Sequence, residues 1–160
     1  MAADFEIRTS GDLRRLSRQL RQLDDKELKK RMSRELRAAA KPLVPRVRAA
    51  ARQIPSQRGY RADGLRGALS RAVKVEVKPT GRQVGVRIRV DGRKMPDHMK
   101  ALPQYVEGNK ARWRHPVYAN DVWVQQNPKP FFYKALTVAG PIAQAAVQRV
   151  LDGIERDLAR

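Results

Sequence analysis

The feature that most constrains the fold is a change in the spacing of apolar residues along the chain. From Leu13 to Ile54 they recur every three or four positions, which is the period of an amphipathic helix. From Val73 to Val90 they alternate with polar or charged residues, which is the period of strands with one buried face. Helical spacing returns after about Pro130. This order predicts the α+β class: N-terminal helices, a central antiparallel hairpin or small sheet, and a C-terminal helix packed on it.

Residues 1–55 are predicted to be a helical N-terminal part. A first helix follows Ser10, a suitable N-cap, and a second follows either of two adjacent aspartates that can cap it. Pro42 and Pro45 fall inside the second apolar pattern, and each removes a backbone donor. We therefore expect a kink or break near Lys41.

Residues 64–90 are predicted to form a short helical turn over 65–70 and then an antiparallel hairpin. The connector 79–83 (PTGRQ) supplies turn residues between two strands that each have one apolar and one basic face. The residues predicted to form a basic surface on these strands are Lys74, Lys78, Arg87 and Arg89.

Residues 91–129 show no clean period, so we expect a long loop or short strands, with one further strand or hairpin within 117–125. Residues 130–160 are predicted to be the C-terminal helix, kinked or restarted at Pro141, with Ile142 in its apolar stripe. A chain of 160 residues has the material for one modest core. We therefore treat residues 1–160 as a single domain.

Signatures of covalent chemistry are missing from the sequence. There is no cysteine, and there are two histidines, with no glycine-rich phosphate loop, zinc-protease motif or serine elbow. His115 has no carboxylate close by in sequence and no evident nucleophile that would suggest a general base, and His98, beside Asp97 and Met99, is a weaker candidate still. We predict no enzyme activity, no cofactor and no metal. We also expect no secretory leader and no membrane span, which would need about 18 apolar residues.

The net charge of +19 arises from 35 basic and 16 acidic residues, and most of the excess lies before residue 97. Arginine suits both phosphate and carboxylate, so the charge favours either nucleic acid or acidic protein neighbours, and a GC-rich coding sequence would also raise arginine. The basic strand face lacks stacking aromatics, so only sequence-independent contact with nucleic acid remains as the alternative function. The Arg-rich helices also resemble membrane-surface helices, but without Trp or Phe anchors we favour core packing.

Three features in one order resemble the tail-completion or head-tail joining (neck) proteins of long-tailed bacteriophages. They are the basic helical region with its hairpin, a Tyr-Val-Glu-Gly segment at 105–108, and a Lys-Pro-Phe-Phe segment at 129–132 that opens a helix. The family commonly shows a Tyr-x-x-Glu-x-Gly-like loop, and this chain departs from that spacing because the Glu and Gly of its first segment are adjacent. The stretches at 113–118 (WRHPVY) and 123–126 (WVQQ) resemble the version found in phages of actinobacteria.

The resemblance implies a structural virion protein of the phage neck or upper tail, made in the host cytoplasm. It implies a cyclic homo-oligomer, with a hexamer as the expected ring, that completes the head-tail junction. Its implied neighbours are the connector, stopper, tail terminator or tail tube, with possible non-specific contact to DNA and none to a membrane.

A ring subunit needs segments that reach its neighbours, and aromatic and arginine residues commonly anchor such contacts. The alternative role of the aromatic residues is burial within the same chain, which for the two phenylalanines is equally compatible with the sequence. For His115 the alternative is a loop hydrogen bond. The interface candidates are Trp113, Arg114, His115, Tyr118, Trp123, Phe131 and Phe132.

Overall fold

The computed structural model describes residues 4–7, 12–22, 26–55, 64–79, 85–109, 112–116 and 123–159. Two short 3-10 helices lie at Gly92–Lys94 and Asp97–Met99. The α-helices are α1 (Asp12–Gln22), α2 (Lys26–Ala40), α3 (Leu43–Arg52), α4 (Leu65–Ala72), α5 (Leu102–Glu107) and α6 (Phe132–Leu158). The strands are β1 (Asp4–Ile7), β2 (Val73–Lys78), β3 (Gly85–Val90), β4 (Trp113–Pro116) and β5 (Trp123–Gln126).

The α+β class is confirmed, and so is the central antiparallel hairpin. β2 and β3 pair with Val73 opposite Val90 and Val77 opposite Val86. Because directly opposed residues share a face, the alternating apolar side chains of both strands lie on the same side of the sheet. Residues 80–84, which include most of the predicted turn, lie outside the described part of the chain.

A third strand extends this sheet, and the N-terminal part is therefore not helical throughout. β1 pairs antiparallel with the free edge of β3, giving the order β1-β3-β2. The register places Phe5 opposite Ile88 and Ile7 opposite Val86. The alternation in Asp4–Ile7 (DFEI) is typical of a strand, but four residues are too few for periodicity to decide.

The break predicted near Lys41 is confirmed. α2 ends at Ala40, a turn covers Lys41 and Pro42, and α3 begins at Leu43 with Pro42 as its N-cap residue. Pro45 is the third residue of α3, where the backbone N–H of a helix has no intrahelical acceptor to lose. The proposed caps at Ser10 and at residues 24 and 25 lie outside the described residues.

The C-terminal helix runs without a restart through Pro141 from Phe132 to Leu158. Its buried stripe is spaced by three or four residues and uses Ala143 rather than Ile142. Ile142 is 65% exposed, so its predicted place in the core is wrong. The buried residues of α6 are Phe132, Leu136, Ala139, Ala143, Val147, Leu151 and Ile154.

The buried apolar side chains of the described residues join into one cluster between the helices and the sheet. α2 and α3 pack on β2 and on α6, while α6 also contacts β1 at the opposite edge of the sheet. The helices therefore cover the apolar face of the three-stranded sheet. β4 and β5 form a separate two-stranded sheet between α5 and α6 in the chain.

Candidate interaction surfaces

A carboxylate from α5 caps the start of α6. The Oε1 atom of Glu107 accepts hydrogen bonds from the backbone N–H groups of Phe131 at 2.9 Å and Phe132 at 2.7 Å. The Oε2 atom accepts a longer bond from the N–H of Tyr133 at 3.5 Å. The first N–H groups of a helix have no intrahelical acceptor and lie at the positive end of the helix dipole. A carboxylate at this position accepts their hydrogen bonds and also interacts favourably with the dipole.

The chain leaves α5 through a turn that locks the two motifs together. Gly108 has φ +97°, a left-handed conformation that favours glycine, and its N–H donates to the carbonyl of Tyr105 at 3.2 Å. The N–H of Lys129 donates to the carbonyl of Val106 at 2.9 Å. The Tyr-Val-Glu-Gly and Lys-Pro-Phe-Phe segments, separated by about 20 positions in the sequence, therefore form one structural unit, which we call the clamp.

β4 and β5 lie between the two segments of the clamp in the chain, and we call these two paired strands the arm. The half-buried ring of Trp113 stacks on Tyr105 with a centroid distance of 5.9 Å, which anchors the arm at its base. The guanidinium of Arg114 lies 5.8 Å from the ring centre of Trp123. Every described residue of β5 is exposed, and Trp123 keeps 55% of its surface accessible. An isolated two-stranded hairpin is marginally stable in water, so the packing of Trp113 on Tyr105 contributes to holding the arm in place.

The interface candidates thus separate into two groups. Trp113, Arg114 and Trp123 lie together on the arm, where His115 is opposite Val124 in the strand register. The two phenylalanines at 131 and 132 are buried in the core, which is the second of the roles the sequence allowed for them. Tyr118 lies outside the described residues.

A second exposed apolar surface lies on the outer side of α6. Val138 is 74% exposed and Ile142 is 65% exposed, and Pro141 and Ala145 beside them are exposed too. The spacing of three and four residues puts all four on one side of the helix. Residues 135–148 contain no charged residue, a length of about 20 Å at 1.5 Å per residue. We call this surface the uncharged face of α6.

The predicted basic face of the hairpin is largely ion-paired. Lys74 contacts Asp91 at 2.7 Å, and Arg89 contacts Glu76 at 3.1 Å and Asp91 at 3.8 Å. The hydrogen bond from Lys74 is the main cause that lowers the pKa of the buried Asp91 carboxyl below its ordinary value. Pairing therefore neutralises much of the charge on this face of the sheet.

The other two predicted basic residues, Lys78 and Arg87, are half-buried on the same strands. Arg87 is also engaged with a partner. Among the described residues, Lys78 is therefore the member of this set that forms no ion pair or hydrogen bond through its side chain.

Sequence reasoning missed three features of these surfaces. The sequence marks Glu107 as part of a motif but not as a helix cap, because none of its neighbours in sequence shows that α6 begins beside it in the fold. Val138 was not assigned, and Ile142 was assigned to the core. A helical wheel of residues 132–158 carries the missing signal, since seven small or apolar residues already fill one stripe and leave Val138 and Ile142 outside it.

Within the described ranges, no cluster of three or more His, Asp or Glu residues has the arrangement of a metal site. None of the helices described is both long and apolar enough to cross a bilayer. His98 is exposed in the second 3-10 helix. Comparison with protein-family models, with curated proteins and with solved structures finds no match to this chain.

Proposed function

We propose that this chain is a structural subunit that assembles head-to-tail into a ring, and that the ring belongs to the neck or upper tail of a long-tailed phage. The observation that carries the ring is the pair of exposed apolar surfaces, the arm and the uncharged face of α6. The phage assignment rests on the resemblance of the two segments that the structure brings together in the clamp.

Charge limits where two copies of this chain can meet. Each copy carries +19, so most approaches bring like charges together and cost electrostatic free energy. The uncharged face of α6 and the uncharged strand β5 are surfaces where this repulsion is least. They also carry four of the five large apolar side chains that are exposed among the described residues: Trp123, Val124, Val138 and Ile142.

We assign the contact to the arm of one copy against the uncharged face of α6 of the next. A contact between two identical arms would bring two copies of Arg114 close together, whereas the arm against α6 pairs Arg114 with an uncharged surface. Two different surfaces on one subunit give a heterologous contact, which generates a closed ring when the rotation between subunits closes. A protruding tryptophan in an apolar site is the kind of residue that dominates such contacts.

Mixing two variants tests this arrangement. Trp123→Ala damages the arm, and Val138→Gln with Ile142→Gln damages the face of α6. Each variant alone is expected to be monomeric by mass photometry. An equimolar mixture is expected to give heterodimers and no rings, because one intact arm meets one intact face and the remaining pair is damaged.

The matched control is Tyr133→Ala, since Tyr133 is 47% exposed on the same helix but lies about 140° around it from Val138. This control is expected to form rings as the unmodified chain does. Rings formed by either damaged variant would overturn the assignment of the contact. An unmodified chain that stays monomeric at high concentration, and that is missing from purified virions by mass spectrometry, would overturn the proposed function itself.

A further inference from the structure

A line of four basic residues runs along the exposed side of α2. They are spaced by four, three and four positions, so they lie on one side of the helix. The backbone N–H of Lys41 donates to the carbonyl of Arg37 at 2.9 Å, which continues the helical hydrogen bonding one residue beyond α2. We call these four exposed residues the α2 stripe: Lys30, Arg34, Arg37 and Lys41.

The stripe differs from the other basic surfaces in its lack of acidic partners. No member of the stripe has an ion pair with another residue in the described part of the chain. Arg31 on the same helix, by contrast, contacts Glu35 and Asp157, both at 2.8 Å. Glu27, one turn before Lys30 on the same helix, lines the same pocket as Lys30 and Arg34 but forms no ion pair with either, so the stripe keeps an excess of positive charge.

The shape of the stripe indicates the kind of partner. Eleven residues separate Lys30 from Lys41, a distance of about 16 Å along the axis, with neighbouring charges about 5 Å apart. The apolar side of α2 buries Met32, Leu36 and Ala40, so this helix cannot insert into a membrane with its apolar face. The exposed side has no aromatic or large apolar anchor of the kind that a protein interface needs at its centre.

We infer that the α2 stripe binds the phosphodiester backbone of duplex DNA without reading its sequence. A row of cations is suited to a polymer with evenly spaced negative charges, and the binding free energy comes from the release of condensed counterions. This contact needs neither apolar anchors nor base-specific geometry, and the stripe has neither. The inference does not depend on ring formation, because one copy carries the whole stripe.

The test is a salt titration of binding to a short duplex of mixed sequence. Four contacted phosphates give a slope of about −3.6 for log affinity against log salt, and a loss of affinity on the order of 10²-fold between about 50 and 200 mM salt. Changing all four stripe residues to glutamine is expected to reduce the magnitude of the slope by about three to four. Glutamine keeps the helix propensity close to that of lysine and arginine, so α2 is retained.

A charge-matched control removes four exposed cations from other elements, α1 and the first 3-10 helix. It is expected to change the slope by about one or less. An equal loss in both variants would show that only total charge matters and would overturn the assignment to α2. Binding of the unmodified chain to polyglutamate but not to the duplex would overturn the choice of DNA and indicate an acidic protein partner. The control changes are Arg14→Gln, Arg18→Gln, Arg93→Gln and Lys94→Gln.

Discussion

Replacing Glu107 by alanine tests whether the clamp holds the start of α6. The substitution removes the acceptor for two short backbone bonds, to Phe131 and Phe132, and for one long bond to Tyr133. Hydrogen bonds to a charged group contribute about 1.5–3 kcal/mol, and loss of a helix N-cap costs about 0.5–2 kcal/mol. These values overlap in what they count, and Glu107 is half-buried, so water partly replaces it. We expect the free energy of unfolding to fall by about 2 kcal/mol.

Urea unfolding followed by circular dichroism measures this loss, and two further variants divide it into parts. Glu107→Gln keeps one oxygen acceptor but removes the charge, so about half of the loss is expected. Glu27→Ala is the matched control, because Glu27 is an exposed acid in the first turn of α2. It reports the effect of removing an exposed acid from the first turn of a helix, about 0.3–1 kcal/mol.

A free energy of unfolding for Glu107→Ala within about 0.5 kcal/mol of that of the unmodified chain, the range of an ordinary surface substitution, would refute the capping role of Glu107. A loss of stability no larger than that of Glu27→Ala would refute it as well. Loss of the cap at Glu107 should also affect assembly, since the clamp holds both ends of the segment that contains the arm. Glu107→Ala should then weaken ring formation although it lies outside the proposed contact.

Three further substitutions have directions that follow from the structure. Asp91→Asn should lower the free energy of unfolding at neutral pH, because Asn cannot make the charged contact with Lys74. The difference from the unmodified chain should shrink as the pH falls through the depressed pKa of Asp91, since the contact contributes only while the carboxyl is charged; urea unfolding between neutral and acidic pH measures it. Gly108→Ala should cost about 1–2 kcal/mol through the left-handed backbone alone, since the added Cβ meets Pro128 at an ordinary 3.6 Å; thermal unfolding measures it. Leu136→Ala should cost about 2–5 kcal/mol through the cavity it leaves in the core, and urea unfolding again gives the value.

The parts of the fold that sequence predicts are those that local forces decide. The hairpin of β2 and β3 follows from the alternating valines. A shift of the strand register by one residue would move the whole apolar set of one strand from the buried face to the solvent-exposed face. The break at Lys41 follows from the two prolines after it, which cannot donate backbone hydrogen bonds. Both features are determined within a few residues of where they occur.

The parts that sequence reasoning missed depend on residues that are distant along the chain. β1 is a strand because the free edge of β3, some 80 residues later, offers it hydrogen bonds. Ile142 is exposed because Ala139 and Ala143 already occupy the positions of α6 that face the core. Helical spacing alone accepts either arrangement, and packing against α2 and α3 decides between them.

The basic surfaces also depend on residues that the local sequence pattern does not include. Lys74 and Arg89 alternate with valine and isoleucine, a pattern that indicates a basic strand face when only the neighbours in sequence are considered. Asp91 follows directly after β3 and contacts both cations, so their charges are compensated within the fold. The stripe on α2 has the same residue types, but none of its members forms an ion pair with a described acid, although Glu27 lies beside Lys30 and Arg34. A net charge of +19 favours nucleic acid or acidic protein neighbours without locating the surface that meets them, whereas the positions of the acids separate the ion-paired sheet from the site proposed on α2.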